Sequence, residues 1–156
     1  MRFEYFEMID RIVEIDVGEG LIRSVCTVPQ ENTVFESHFP TYPLMPGVLL
    51  IECMAQTTGW LVSAICGFTN MPILVGVKEA RFRATVFPGD LLEFEGKLVH
   101  EGSGYAVGKS KGLRNSKVVC DARLTYHMMP YPTPQFRQAI FDGAERIGIA
   151  VKEFAK

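Results

Sequence analysis

His38, Gly47 and Glu52 are the residues of this chain whose types and spacing could do chemistry. They lie in the run His38-Phe39-Pro40-Thr41-Tyr42-Pro43-Leu44-Met45-Pro46-Gly47 and the apolar stretch Val48-Leu49-Leu50-Ile51-Glu52 that follows it. A histidine side chain takes up and releases protons near neutral pH. Glu52 is flanked by Leu49, Leu50, Ile51, Cys53 and Met54; a carboxylate in such surroundings is rarely buried without a partner, and desolvation favours the protonated, proton-donating form. Where a helix begins at Gly47, its first N–H groups lack intrahelical acceptors and carry the positive end of the helix dipole, so an amide there can stabilise an oxyanion. A base, an acid and an oxyanion donor together fit proton abstraction beside a carbonyl with departure of a hydroxyl. Each part also has a plain structural reading: His38 as a packing residue, Glu52 as a satisfied structural carboxylate, Pro46-Gly47 as a simple helix start. No cysteine or serine has an evident histidine partner for nucleophilic catalysis, and the spacing of a metal-ligand set is lacking.

The elements that must position these groups follow from the surrounding pattern. Pro40, Pro43 and Pro46 stiffen the loop, each biasing the residue before it toward an extended conformation. A helix is expected from Gly47 to about Ile65, with Pro46 at its first turn and Gly67 as its stop. Glu52 then lies about 7.5 Å along the axis from Gly47 at 1.5 Å per residue, and Gln56, one turn on, can hold its rotamer. Before the loop, alternation over residues 8–16 predicts a strand, Gly18 and Gly20 a turn, residues 21–28 the return strand, and residues 29–42 an irregular connection. After the helix come strands over residues 72–84, 91–100, 105–113 and 117–127, separated by turn residues. Pro130, Pro132 and Pro134 form a spacer before a helix over residues 135–154. One long apolar helix followed by an antiparallel meander predicts an α+β fold in which the sheet curls around the helix.

Composition bounds the rest. A chain of 156 residues, 47% hydrophobic and 22% charged, is expected to be a single domain, with a core over about residues 5–127 and a C-terminal extension over about 130–156. A net charge of -2 and the absence of a Lys/Arg run give no general attraction to nucleic acid. Cys26, Cys53, Cys66 and Cys120 form no C-x-x-C pair and read as small hydrophobes in a reducing compartment. The N-terminal MRFEYFEMIDR carries acidic residues and no continuous apolar run, unlike a secretory signal, so a cytoplasmic location is expected. Residues 47–68 are long and apolar enough to consider as a membrane span, but Glu52, Gln56, Thr57 and Thr58 interrupt them. No integral membrane insertion is expected.

The string HFPTYPLMPGVLLIECMAQ, residues 38–56, resembles the H-F-P-x-x-P-x-x-P-G-V-L-x-x-E-x-x-A-Q signature of the hotdog-fold (3R)-hydroxyacyl-[acyl-carrier-protein] dehydratases of FabZ type. ARFRATVFPGD, residues 80–90, and MIDRIVEID, residues 8–16, resemble two further blocks of that family. The resemblance implies a homodimer whose sheets join edge to edge, leaving open assembly into a trimer of dimers. His38 of one subunit would take the α proton of a 3-hydroxyacyl thioester and Glu52 of the other would help water leave. The Gly47 amide would polarise the thioester carbonyl, giving a trans-2-enoyl product in fatty acid or lipid A acyl-chain synthesis. Glu52 favours dehydration alone, since relatives that also isomerise the double bond carry aspartate there. Phe39, Pro46, Gln56 and Phe82 are the expected substrate-binding residues, and Lys78, Arg81 and Arg83 the expected docking patch for an acidic acyl carrier protein. No cofactor or metal is implied. Ser37 stands where the family has glycine, and Glu79 where it has lysine. FTNMPILVGV, HEGSGYAVGKSK and KVVCDARLTYHMMPYP resemble α-proteobacterial variants that handle very-long-chain acyl groups of lipid A, which would imply an apolar tunnel along Leu49, Met54, Trp60 and Leu61. A hotdog acyl thioesterase and a non-catalytic acyl-thioester-binding protein are the competing readings.

Overall fold

The computed structural model describes residues 1–155. After a short 3-10 turn at Phe3–Tyr5 come β1 (Arg11–Asp16), β2 (Leu21–Thr27), α1 (Thr33–Ser37), α2 (Gly47–Ile65), β3 (Met71–Phe82), β4 (Leu91–Gly102), β5 (Tyr105–Arg114), β6 (Lys117–Met129), α3 (Pro134–Arg146) and α4 (Val151–Phe154). The six strands form one antiparallel sheet in the order β1-β2-β4-β5-β6-β3. The sheet curls around α2, which touches β2, β3, β4, β5 and β6. This is the α+β hotdog arrangement.

α2 begins where Pro46, at φ -57 and ψ 136, caps it from outside. The proline thus stands one position before the helix rather than inside its first turn. α2 ends at Ile65 and is closed by Gly67, φ 62, with the Phe68 N–H donating to the Ser63 carbonyl at 2.8 Å; a residue tolerant of the left-handed region suits this closure. By length and composition α2 could cross a membrane, yet most of it is buried against protein. An apolar helix covered on several sides needs no lipid.

Two strand glycines let α2 sit close to the sheet, and a third makes room between strand side chains. A Cβ at Gly108 would lie 2.4 Å from Thr58 Cγ2, and one at Gly96 would lie 2.8 Å from Thr58 Oγ1 and from Ile22 Cγ2. At Gly112 it would meet Phe94 and Cys120 at 2.7 Å. Around this contact run two apolar clusters. Cys26, Val28, Leu50, Cys53, Met54, Phe94, Leu124 and Tyr126 fill one. Ile9, Ile12, Ile22, Leu61, Phe68, Ala144, Ile149 and Val151 fill the other, toward the C-terminal end of α2. Several buried polar groups are matched: Thr57 Oγ1 bonds the Cys53 carbonyl at 2.8 Å and Ser24 Oγ at 2.7 Å, and the Tyr126 hydroxyl donates to the Ala55 carbonyl at 2.9 Å. Burial raises the Tyr126 phenol and pushes the Cys120 thiol up to about 12, so both stay neutral.

Three sequence expectations change. Residues 29–42 are not wholly irregular: they hold α1, capped by Asn32 Oδ1 accepting from the Val34 N–H at 3.0 Å. A five-residue helix is too short to show a hydrophobic period, although its Asn cap was a readable signal. The helix expected over 135–154 is two pieces, broken at Gly148, φ 92. β1 starts at Arg11 rather than residue 8, because the Met8 N–H turns to Gln56 Oε1 instead of a strand.

The close seat of α2 can be tested directly. Gly108→Ala forces its methyl into Thr58 and is expected to destabilise the fold by about 1–3 kcal/mol, as overpacking does. A thermal melt would read this as a drop of several degrees, and an unchanged midpoint would refute the packing argument.

Candidate active site

The loop from His38 to Pro46 is held at both ends. His38 terminates α1, its N–H donating to the Val34 carbonyl at 3.1 Å, and its carbonyl accepts from the Leu44 N–H at 3.0 Å. The Met45 N–H donates to the Val86 carbonyl at 2.8 Å, fixing the far end to the chain after β3. Between them Phe39 and Tyr42 exchange backbone hydrogen bonds of 3.2 and 3.0 Å across Pro40 and Thr41. The Phe39 ring, half exposed, stacks on the His38 imidazole at 4.3 Å between centroids. Ser37 is the last helical residue of α1 and lies outside the left-handed region. The backbone that aims His38 therefore does not require a glycine there.

Glu52 is half-buried rather than enclosed, facing a cavity of about 770 Å³. Gln56 Nε2 donates to Glu52 Oε1 at 2.9 Å and to the Phe6 carbonyl at 2.8 Å, while its Oε1 accepts from the Met8 N–H at 3.1 Å. Three of the amide's hydrogen-bonding positions are thus used, which fixes its flip and leaves Glu52 one defined rotamer partner. The N-terminal residues that complete this clamp were not foreseen from the sequence; only the i, i+4 spacing of Glu52 and Gln56 was legible.

At the start of α2, the Phe82 ring from the end of β3 lies against Gly47: a Cβ there would fall 2.8 Å from Phe82 Cζ. With the Phe82 ring in this position no side chain fits at Gly47. Gly47 and Phe82 are therefore neighbours, as a shared role requires. His38 and Glu52 are not. Among the described residues the His38 side chain makes no hydrogen bond, and it does not line the cavity that Glu52 faces. Of the tunnel residues expected from sequence, Trp60 lines this cavity, Met54 and Leu61 are fully buried core, and Leu49 packs at the core's edge.

The expected basic patch is divided by its ion pairs. Arg83 Nη2 binds Asp121 Oδ2 at 2.7 Å, whereas Lys78 and Arg81 are exposed and make no ion pair among the described residues. β3 bulges between Lys78 and Arg81, with Glu79 at φ 55. Strand register then reveals two rows on the outer face of the sheet. Glu14, Arg23, Glu95, Lys111, Asp121 and Arg81 stand opposite one another across all six strands with alternating charge. The neighbouring row is Lys97, Lys109, Arg123 and Lys78, four cations side by side on β4, β5, β6 and β3. Like charges directly opposite destabilise a sheet, and none of these four has an ion-pair partner among the described residues. Their alignment depends on inter-strand register, which spacing within one strand does not show.

A family profile described as FabA-like domain matches residues 2–123. The chain belongs to the FabA-like family. It is 37% identical over 121 residues to the 3-hydroxyacyl-[acyl-carrier-protein] dehydratase FabZ of Protochlamydia amoebophila, covering 78% of this chain and 79% of that one. To the FabZ of Symbiobacterium thermophilum it is 34% identical over 131 residues, 83% and 92% of the two chains. Among solved structures, AziG of S. sahachiroi superposes with a TM-score of 0.65 at 14% identity, covering 82% of this chain and 95% of that one. The conserved protein PA5202 of Pseudomonas aeruginosa gives 0.63 at 19%, covering 80% and 93%. At these identities the superpositions speak for the hotdog fold alone. The family match stops before α3 and α4.

The clamp on Glu52 yields a prediction. Gln56→Leu leaves the Met8 N–H and Phe6 carbonyl without their partner and is expected to cost about 1–3 kcal/mol of stability. Denaturant melts of this variant beside Gln56→Glu, which keeps an acceptor for Met8, separate the two halves of the clamp.

Proposed function

We propose that this protein is a 3-hydroxyacyl-[acyl-carrier-protein] dehydratase, a hydro-lyase that forms trans-2-enoyl thioesters for fatty acid synthesis. The observation that carries this reading is the half-buried, Gln56-clamped Glu52 at a mostly apolar cavity, in a chain 37% identical over 121 residues to a FabZ dehydratase. His38 removes the proton α to the thioester carbonyl, the Gly47 N–H steadies the enolate-like oxygen, and Glu52 delivers a proton to the departing hydroxyl. Phe39, Pro46 and Phe82 frame the approach to Gly47, and Gln56 orients Glu52. The cytoplasm is the compartment this role assigns, with lipid A acyl chains as a narrower product class.

The working pair is assembled from two subunits. β3 lies at one end of the sheet, twelve residues long, with Ile73, Val75 and Val77 exposed. A long apolar edge strand left uncovered is a template for pairing with another chain. Joining two such edges makes a homodimer and supplies each Glu52 with the partner's histidine. A trimer of dimers is the larger assembly this edge leaves room for.

The carrier protein approaches the basic groups of the outer sheet face, with Lys78 extended by Arg123, Lys109 and Lys97, and with Arg81 and Arg83 beside them. A row of uncompensated cations steers an acidic partner and speeds its arrival.

Two measurements check these roles. His38→Ala and Glu52→Gln should each lower turnover of a 3-hydroxyacyl-carrier-protein by roughly 10²–10⁴, the range of general acid–base catalysis, read by mass spectrometry as loss of one water. Release of free thiol instead would turn the reading to a thioesterase. Refolding the two inactive variants together should regain activity, because a mixed dimer holds one intact site; no recovery would place both residues of each site in one subunit. Separately, Arg81→Glu with Lys78→Glu should raise KM for the carrier-bound substrate, most strongly at low salt, while kcat on a small pantetheine thioester stays unchanged.

A further inference from the structure

The cavity that Glu52 faces runs along one stripe of α2. Glu52, Ala55, Gln56, Gly59, Trp60 and Ser63 all line it, at the i, i+3, i+4, i+7, i+8, i+11 positions of a single helix face. From Glu52 to Ser63 the stripe extends roughly 16 Å at 1.5 Å per residue. β3 supplies one side through Met71, Pro72, Ile73 and Leu74. The other side is α3, through Phe136, Ala139, Ile140, Gly143 and Arg146 on one helix face, with Ile147 just after it; the face is apolar except for Arg146.

α3 is fastened in place by packing on its other faces and by one ion pair at the cavity rim. Ala144 is fully buried in the second apolar cluster beside Ile149 and Val151. The Phe141 ring meets Phe68 edge-on at 5.6 Å, and the Ile12 N–H donates to the Ile147 carbonyl at 2.7 Å. Arg146 Nη1 reaches Glu7 Oε1 at 3.0 Å, tying α3 to the N-terminal segment that clamps Gln56. The helix is thus a rigid wall, and it lies beyond residue 123, where the family match ends.

We propose that α3 sets the length of acyl chain the site accepts, with Gly143 as the specificity-determining position. This rests on the dehydratase reading of Glu52. Glycine is the poorest helix former after proline, and Gly143, in the last turn of α3, leaves the cavity wall without a side chain at that point. At Gly143 a Cβ would lie 4.0 Å from Trp60 Cη2 and 3.7 Å from Arg146 Nη2. That is ordinary contact, so the site is open enough for a methyl group, and a larger side chain would project across the stripe beside Trp60. The occupant the cavity fits is the hydrocarbon tail of a substrate whose thioester end lies near Glu52 and whose far end runs past Trp60 against Gly143.

Trp60 is the only tryptophan, so it reports on the cavity without any turnover. In the full chain, a long-chain fatty acid brominated near its methyl end should quench Trp60 fluorescence. Gly143→Leu should weaken that quenching about tenfold or more, since each excluded methylene removes roughly fourfold in affinity. The same variant should lose kcat/KM by a similar factor on a long-chain 3-hydroxyacyl-carrier-protein while keeping its rate on a short-chain one. Glu145→Leu, on the outer face of α3, should change neither, and a thermal melt confirms that both variants fold. Absence of quenching in the unaltered chain, or equal loss on short and long substrates in Gly143→Leu, overturns the proposal. Quenching that responds to Gly143→Leu in a chain making no enoyl product at any length supports the wall and overturns the dehydratase reading.

Discussion

The close seat of α2 in the curled sheet is the constraint on which the rest of the structure depends. Thr58 approaches Gly96 and Gly108 so nearly that no side chain fits between them. At that spacing the buried faces of β2, β4, β5 and β6 interdigitate with Leu50, Cys53, Met54 and Leu61, and interiors packed to crystal-like density transmit small displacements. A shift of α2 by one methyl group would move Glu52, Gln56 and Trp60 together, because all three stand on its opposite stripe. The Glu52 carboxylate and the cavity wall are positioned by the same contact that stabilises the fold.

On that stripe the local chemistry is set by a second, smaller arrangement. Gln56 spends one donor on Glu52 and the other on the Phe6 carbonyl, and its oxygen receives the Met8 N–H. The N-terminal segment therefore holds the carboxylate at one remove. Its own position is secured by the ion pairs of Glu7 with Arg2 and Arg146. The Arg2 guanidinium, bonded to Glu7, keeps that carboxyl below the usual range, so the clasp is present above the ordinary glutamate pKa and weakens as pH falls through the lowered one. Chain segments at the two ends of the sequence meet at this point, and the cavity lies between them.

The two faces of the sheet carry different instructions. Toward α2 the strands present Ile22, Ser24, Phe94, Leu124 and Tyr126, buried and matched. Outward they carry the alternating row from Glu14 to Arg81, where neighbouring charges support the pairing, and beside it the row of four cations, where they oppose it. In a protein of net charge -2 such a row is a local field rather than a general one.

Much of this was legible in the residues themselves. The α+β class, α2 with its Gly67 stop, the four strands after it and the Glu52–Gln56 spacing follow from hydrophobic period and turn chemistry, which act over a few neighbours; that β3 leaves the expected meander to pair with β6 does not. Type and spacing suggested His38, Gly47 and Glu52 as a group and the resemblance implied their roles, yet His38 does not line the cavity that Glu52 faces. What tertiary structure alone decided are the contacts made across long separations. These are Phe82 against Gly47, Phe6 and Met8 on Gln56, the cation row set by strand register, and α3 closing one side of the cavity far from Glu52 in sequence. Sequence periodicity records which face of an element is apolar. Which surface that face meets depends on how the chain closes its loops, and no local pattern carries that information.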